Sequence, residues 1–212
     1  MELIVSACRT LANRQRLRLL RAIHDRPGQP VHALATTVKL TPDAVSHQLK
    51  PLCDYHFIRA APSGRRVCYH PALAGATSHP FLRGMQRLVE EAVRVAGQIR
   101  TPEKVCEFDV KGWEEELVKL FTTYTHLRRL LILRYLSAHG GTPIATLAEK
   151  IGMSPDAAYR HLDKLLRRGV VVCIGKAPAH WGVAPVSGDV WRTKLLALVL
   201  REFKSYRTTT AA

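Results

Sequence analysis

The chain repeats itself 113 residues further on, and that repeat leaves few folds open to it. Arg16-Leu17 recurs as Arg129-Leu130, Leu20-Arg21 as Leu133-Arg134, and Gly28 and Pro30 as Gly141 and Pro143. The same offset matches Leu34-Ala35 with Leu147-Ala148, and the block Pro42-Asp43-Ala44 with Pro155-Asp156-Ala157, without a gap. A period of this length is too long for a solenoid and has the size of a small domain. The 212 residues therefore read as two copies of one domain, at 1–100 and 113–212. The linker at 101–112 is short, mixed in charge and carries Pro102.

Within each copy the Pro-Asp-Ala block reads as the start of a helix. Thr41 and Ser154 can cap it with a hydroxyl, proline at the first helical position gives up no needed N–H, and Asp43 or Asp156 meets the positive end of the macrodipole. Behind Thr41, helical spacing puts Val45, Leu49 and Leu52 on a buried stripe and Asp43, Ser46, His47 and Lys50 on the opposite face. Upstream, Asn13 can cap a helix through about Asp25 that buries Leu17, Leu20 and Ile23, and Pro27-Gly28-Gln29-Pro30 ends it. A short helix at Val31–Val38 and the turn Lys39-Leu40-Thr41 then complete a helix-turn-helix. The first turn position calls for a left-handed residue, which suits Gly152 and strains Lys39. Downstream, Phe57–Ala61 and Arg66–His70 flank Pro62-Ser63-Gly64-Arg65, the pattern of a β-hairpin with a glycine turn. In the second copy Val170–Ile174 and His180–Val183 flank a turn at Gly175–Ala179. The fold class is mainly α with small β-hairpin wings: two winged helix-turn-helix domains in tandem, each followed by a long helix.

Those long helices are expected at His79–Ile99 and Gly188–Tyr206. Leu82, Met85, Val89, Ala92, Ala96 and Ile99 alternate at three and four, a seam that asks for a partner. Trp191, Leu195, Leu196, Leu198, Val199, Leu200 and Phe203 make the second helix apolar nearly all round, so it must be buried. The seams either pair with each other, making one chain an intramolecular pseudo-dimer, with a homodimer of such units as the runner-up, or each covers its own domain. One proline breaks the pattern: Pro51 sits about ten residues into the capped helix and predicts a kink or an end near Lys50.

Charge selects the partner. Thirty-two basic against seventeen acidic side chains give +15 and a pI near 10.1, a field that draws polyanions. The excess is +7 over residues 1–70, +1 over 71–112 and +7 over 113–212, so it lies in the two winged copies and not in the linker. Double-stranded DNA is the expected partner. In the first copy Thr41, Asp43, Ser46, His47 and Lys50 form the face for base edges, and Arg65 and Arg66 on the wing reach phosphate. In the second, Ser154, Tyr159, Arg160 and Lys164 take those places, with Arg167 and Arg168 nearby and Asp163 where the first copy has Lys50.

Other classes find little support. The longest apolar run, Leu195–Leu200, is far too short for a membrane span, and no signal-peptide pattern opens the chain. Five cysteines without a C-x-x-C pair fit reduced thiols, hence a cytoplasmic protein. Cys53 and His56 with Cys68 and His70 have a spacing zinc could use. Strand alternation, however, should turn Val67 and Tyr69 inward and Cys68 and His70 outward, so no metal is expected. No phosphate loop, nucleophile elbow or carboxylate pair appears, so no enzyme is expected; Glu114-Glu115-Glu116 reads as an acidic first helical turn.

The stretches LANRQRLRLLRAI, VSHQLKPL and GRRVCYHP together resemble the ArsR-type winged helix-turn-helix regulators of bacteria and archaea. The likeness covers most of the first copy; the second keeps the buried pattern and the Ser-Pro-Asp-Ala start. It implies transcriptional regulation, typically repression by homodimers. The family's metal sensors carry a C-x-C pair in the first helix of the motif, and Val31–Val38 holds no cysteine, so no cofactor is expected. The alternative is a tandem winged-helix adaptor that binds proteins, as in chromosome segregation, although such adaptors tend to be acidic.

Overall fold

The computed structural model describes residues 1–73, 75–98, 112–175, 179–185 and 190–209. The linker expected at 101–112 lies outside them except for its last residue, as do Ala177 and Pro178 of the second wing turn. The chain falls into two compact units. Unit one is Arg9–Lys119, and unit two is Met1–Cys8 together with Leu120–Ala212.

In unit one, α2 (Arg14–Asp25) starts at Asn13, whose side chain accepts the Arg16 N–H. α1 (Glu2–Leu11) precedes it. β1 (Gln29–Pro30) leads into α3 (Val31–Val38), and α4 (Pro42–Asp54) follows a left-handed Lys39 at φ 57°. The Thr41 hydroxyl accepts the Ala44 N–H and so satisfies one of the unpaired donors at the start of α4. β2 (Ile58–Ser63) and β3 (Arg66–Pro71) form the wing, and α5 (Pro80–Gln98) packs back on α2. The core gathers Leu17, Leu20 and Ile23 from α2, Leu34 from α3, Val45, Leu49 and Leu52 from α4, and Met85, Leu88 and Val89 from α5. Each such side chain contributes about 1.5–3 kcal/mol on burial.

Unit two repeats that order. α7 (Leu127–His139), β4 (Thr142–Pro143), α8 (Ile144–Ile151), α9 (Pro155–Arg167), β5 (Val171–Ile174), β6 (His180–Val183) and α10 (Val190–Thr209) succeed one another. α3 and α8, α4 and α9, and β1 and β4 stand 113 residues apart at both ends. α10 packs on α7 and buries Trp191, Leu195, Leu196, Val199 and Phe203.

The units part from the sequence-expected limits 1–100 and 113–212 at the leading helices. α6 (Trp113–Thr122) gives residues 113–119 to unit one, where Glu115 meets Arg14 at 2.9 Å, Glu114 meets Arg18 at 2.9 Å and Trp113 lies beneath Arg21. The acidic first turn of α6 thus answers the basic face of α2. Met1–Cys8, which includes most of α1, joins unit two, where Ile4 and Cys8 are fully buried and Cys8 neighbours Tyr124.

Three local expectations are corrected. Each wing belongs to a three-stranded antiparallel sheet and is not a bare hairpin: β1 pairs β3 (Gln29 with Tyr69, Pro30 with Cys68), and β4 pairs β6 (Thr142 with Trp181, Pro143 with His180). The first wing's turn is Gly64-Arg65 alone, because Ser63 already pairs with Arg66 and Pro62 with Val67. The strand also has the opposite phase: Cys68 is 8% exposed and Val67 50%. A period-two strand exchanges all its faces with a one-residue shift, and pairing with Pro30 turns Cys68 toward the helices while Val67 stands near the hairpin tip.

At Pro51 one of the two expected outcomes, an end of the helix near Lys50, does not occur: α4 runs to Asp54. Leu52 beyond the proline is fully buried and its carbonyl accepts the Phe57 N–H at 2.8 Å, while the Pro51 carbonyl accepts from Tyr55 at 3.2 Å. Burial of Leu49 and Leu52 outweighs the one hydrogen bond that proline removes. Of the expected seam on α5, Leu82, Met85, Val89 and Ala92 are buried; the side chain of Ala96 and all of Ile99 lie outside the described residues. Among the described residues no helix is long and apolar enough to cross a membrane.

Candidate nucleic-acid interface

The outward face of α4 carries Asp43, Ser46, His47 and Lys50, with exposed Thr41 at the cap. The Ser46 hydroxyl donates to the Pro42 carbonyl at 3.0 Å and keeps its oxygen as an acceptor. Arg65 and Arg66 stand exposed at the hairpin turn. This is a helix with a polar outer face beside a cationic loop, held by one apolar stripe. It offers donors and acceptors to base edges and fixed positive charge to phosphate.

Unit two presents the corresponding face on α9, differently furnished. Ser154 caps the helix by accepting the Ala157 N–H, and Arg160 stands exposed with Lys164 one turn on. Tyr159 is 56% exposed and its ring meets Trp181 of β6 edge-on, with centroids 6.5 Å apart. Asp163 is held by Arg167 one turn later at 3.0 Å, so the carboxylate at the place of Lys50 has a cation of its own. At 33% side-chain exposure of Asp163 that pair adds little stability, but it occupies Arg167.

A second layer under these faces was not read from the sequence. In unit one, Arg16 on α2 donates through Nε to the Gln48 amide oxygen on α4 at 2.9 Å, and through Nη1 to the Thr10 carbonyl at 3.0 Å. This ties the recognition helix to the helix behind it. The residues 113 further on are Arg129 and His161. There the rings of His161 and of the cap residue His126 sit with centroids 4.8 Å apart. Burial first, then His126 and the cations Arg129, Lys164 and Arg128, lower the pKa of His161. The signal was available: Gln48 is a half-buried polar residue on the reading helix, and its counterpart is a titratable ring.

The soft-ligand candidates do not converge. Cys68 is buried, His56 is exposed, and burial followed by the neighbouring Asp54 raises the pKa of Cys53. Among the described residues no three His, Cys, Asp or Glu side chains are grouped to hold a metal ion.

Residues 126–172 match the family model described as winged helix-turn-helix DNA-binding. The match begins at the His126 cap, takes in α7, β4, α8 and α9, and stops two residues into β5. It lies wholly in unit two and marks that segment as a winged helix-turn-helix DNA-binding domain. No curated protein and no solved structure matches the chain.

Proposed function

We propose that the protein is a DNA-binding transcriptional regulator of the ArsR type, a repressor that carries a duplicated winged helix-turn-helix in one chain. The observation that carries this reading is a coincidence of two facts. Residues 126–172 match a DNA-binding winged-helix model, and the segment 113 residues earlier has the same succession of helices and strands, with Ser46, His47 and Lys50 exposed on its second motif helix and Arg65 and Arg66 exposed at the wing turn that follows. In this reading Ser46 and His47 contact base edges, Lys50, Arg65 and Arg66 contact phosphate, and Thr41 and Asp43 set the helix N-terminus against the backbone. Ser154, Tyr159, Arg160 and Lys164 do the weaker, corresponding work in the second head. The net charge of +15 supplies the non-specific attraction.

The test is a fluorescence titration of a labelled random duplex at two salt concentrations. Arg65→Ala with Arg66→Ala is expected to weaken binding to every sequence and to reduce the salt slope by up to about two units. An unchanged slope and affinity in the double variant, with binding abolished by Arg160→Ala, would reassign the principal head. No effect of any of these substitutions would remove the DNA reading and leave the protein-binding adaptor in its place.

A further inference from the structure

Between the base of the first wing and α5 lies a cavity of about 270 Å³, all of it within unit one. Phe57 forms a buried apolar floor, and Leu73 stands at the lip 60% exposed, a large apolar side chain left facing water. Opposite them α5 brings Arg83, Arg87 and Glu90, and the end of α2 brings His24. Nη1 of Arg83 donates to the Ser78 carbonyl at 2.7 Å and the Thr77 carbonyl at 3.4 Å. Those bonds fix the plane of the guanidinium and use only one of its three nitrogens. Arg87, one helical turn on, shares the same side of α5. Two guanidiniums against one carboxylate leave the wall net positive. A planar guanidinium fork held in place suits a carboxylate better than a point cation would.

We propose that this cavity is an effector site for a small organic carboxylate with an apolar body. The carboxylate lies against Arg83 and Arg87, and the body lies between Phe57 and Leu73. The volume lies just below the range usual for ligand sites, so the occupant is small. The cavity also touches the joint between recognition helix and wing. Gln86, among its lining residues, donates its side-chain amide to the His56 carbonyl. His56 is one of two non-glycine residues with positive φ among the described residues. Phe57, which follows it, is bonded to the last turn of α4 through Leu52. An occupant pressing on Phe57 and α5 therefore acts on the residue that sets the wing against α4. Only this last consequence, a change in DNA affinity, rests on the DNA-binding reading.

The experiment uses the full chain without DNA and titrates benzoate, phenylacetate, the neutral isostere benzamide and inorganic phosphate, followed by calorimetry or ligand-observed NMR. Benzoate or phenylacetate is expected to saturate, with benzamide and phosphate weaker by about tenfold or more. Arg87→Leu, at a position outside the buried core where folding is not at stake, is expected to weaken the carboxylates about tenfold, and Glu90→Gln to tighten them. Arg83→Lys should weaken them as well. Benzamide or phosphate binding as well as benzoate, unchanged affinity in the Arg87 variant, or no saturation up to about 10 mM would each overturn the site. The duplex titration is then repeated with saturating carboxylate. Ligand binding without a shift in DNA affinity overturns the effector role. Absence of DNA binding with and without ligand strikes the DNA-binding reading and leaves the carboxylate site established.

Discussion

Lys39 and His56 hold positive φ, both at 57°, where the residues 113 further on, Gly152 and Gly169, hold 68° and 63°. A side chain in the left-handed region costs about 1–2 kcal/mol, and glycine gives back about 0.4–1 of that through the unfolded chain. Lys39→Gly is therefore expected to stabilise unit one by up to about 1 kcal/mol, read from urea midpoints, and Gly152→Lys to destabilise unit two by about as much. Nothing within 4 Å of Gly152 would meet an added Cβ, so the second change tests backbone strain without a clash. Gly169 would be a poorer choice, since a Cβ there runs into the Arg192 guanidinium. Tyr124 poses the opposite problem. It is fully buried, and its hydroxyl has no hydrogen-bond partner among the described residues. Burying an unpaired hydroxyl costs about 1–3 kcal/mol, so Tyr124→Phe is expected to raise the melting temperature; a drop of several degrees would mean that the hydroxyl has a partner after all.

At the scale of helices and strands the two copies differ in how the reading helix is clamped. Unit one uses the Arg16–Gln48 hydrogen bond, whereas unit two sets His161 beside His126 with Arg128, Arg129 and Lys164 around it. The His126 Nδ1 also accepts the Arg128 N–H at 3.2 Å as the cap of α7, which an imidazole nitrogen does only without a proton. A pKa of His161 lowered in the folded state from the ordinary 6.5 means that the unfolded chain binds the proton more readily. The stability His161 contributes is thus fully present above about 6.5 and is lost as pH falls through 6.5 and then through the depressed value. His24, lowered mainly by burial, adds a loss of the same sign in unit one. His161→Gln, which copies Gln48, is expected to flatten part of the fall in melting temperature between about pH 7 and 5; an identical fall in both proteins would exclude the clamp. The helices and caps were legible because Asn13, Thr41 and Ser154 combine capping chemistry with apolar spacing in one local stretch. β1 and β4 were not, since a two-residue strand has no period and exists only through pairing with a strand some forty residues on. The phase of β3 was missed for the same reason, its faces being set by Pro30 and not by its own alternation. An end at Pro51 was expected as one outcome because propensity was weighed without the burial of Leu52. The exposed reading faces could be placed from spacing, but Gln48 and Arg16 could be joined only by the packing of α2 on α4.

For the whole molecule the proposed function implies a protein with two unlike heads. The first offers Lys50, Arg65 and Arg66; the second offers Arg160 and Lys164 but has Asp163 where the first has Lys50, with Arg167 held by that same carboxylate. Paired heads commonly address half-sites about one helical turn, roughly 34 Å, apart. Two identical heads would select a palindrome, and two unlike heads select an asymmetric operator. Selection from a random duplex library followed by footprinting is the measurement. It should return one strongly specified half-site and one degenerate flank, with protection of the flank disappearing first as salt is raised. Ser46→Ala or His47→Ala should relax the strong half-site at one or two positions, at about 1–3 kcal/mol for each base no longer read, and leave the flank unchanged. Arg160→Ala should shorten the footprint on the flank with a smaller loss of affinity. Asp163→Lys, which restores the charge of the first head and releases Arg167, should tighten the flank and steepen the salt slope by about one to two units. A palindromic consensus from the unaltered protein, or an Asp163→Lys variant that binds the flank no better, would show that the two heads read DNA alike and that Asp163 does not set their difference.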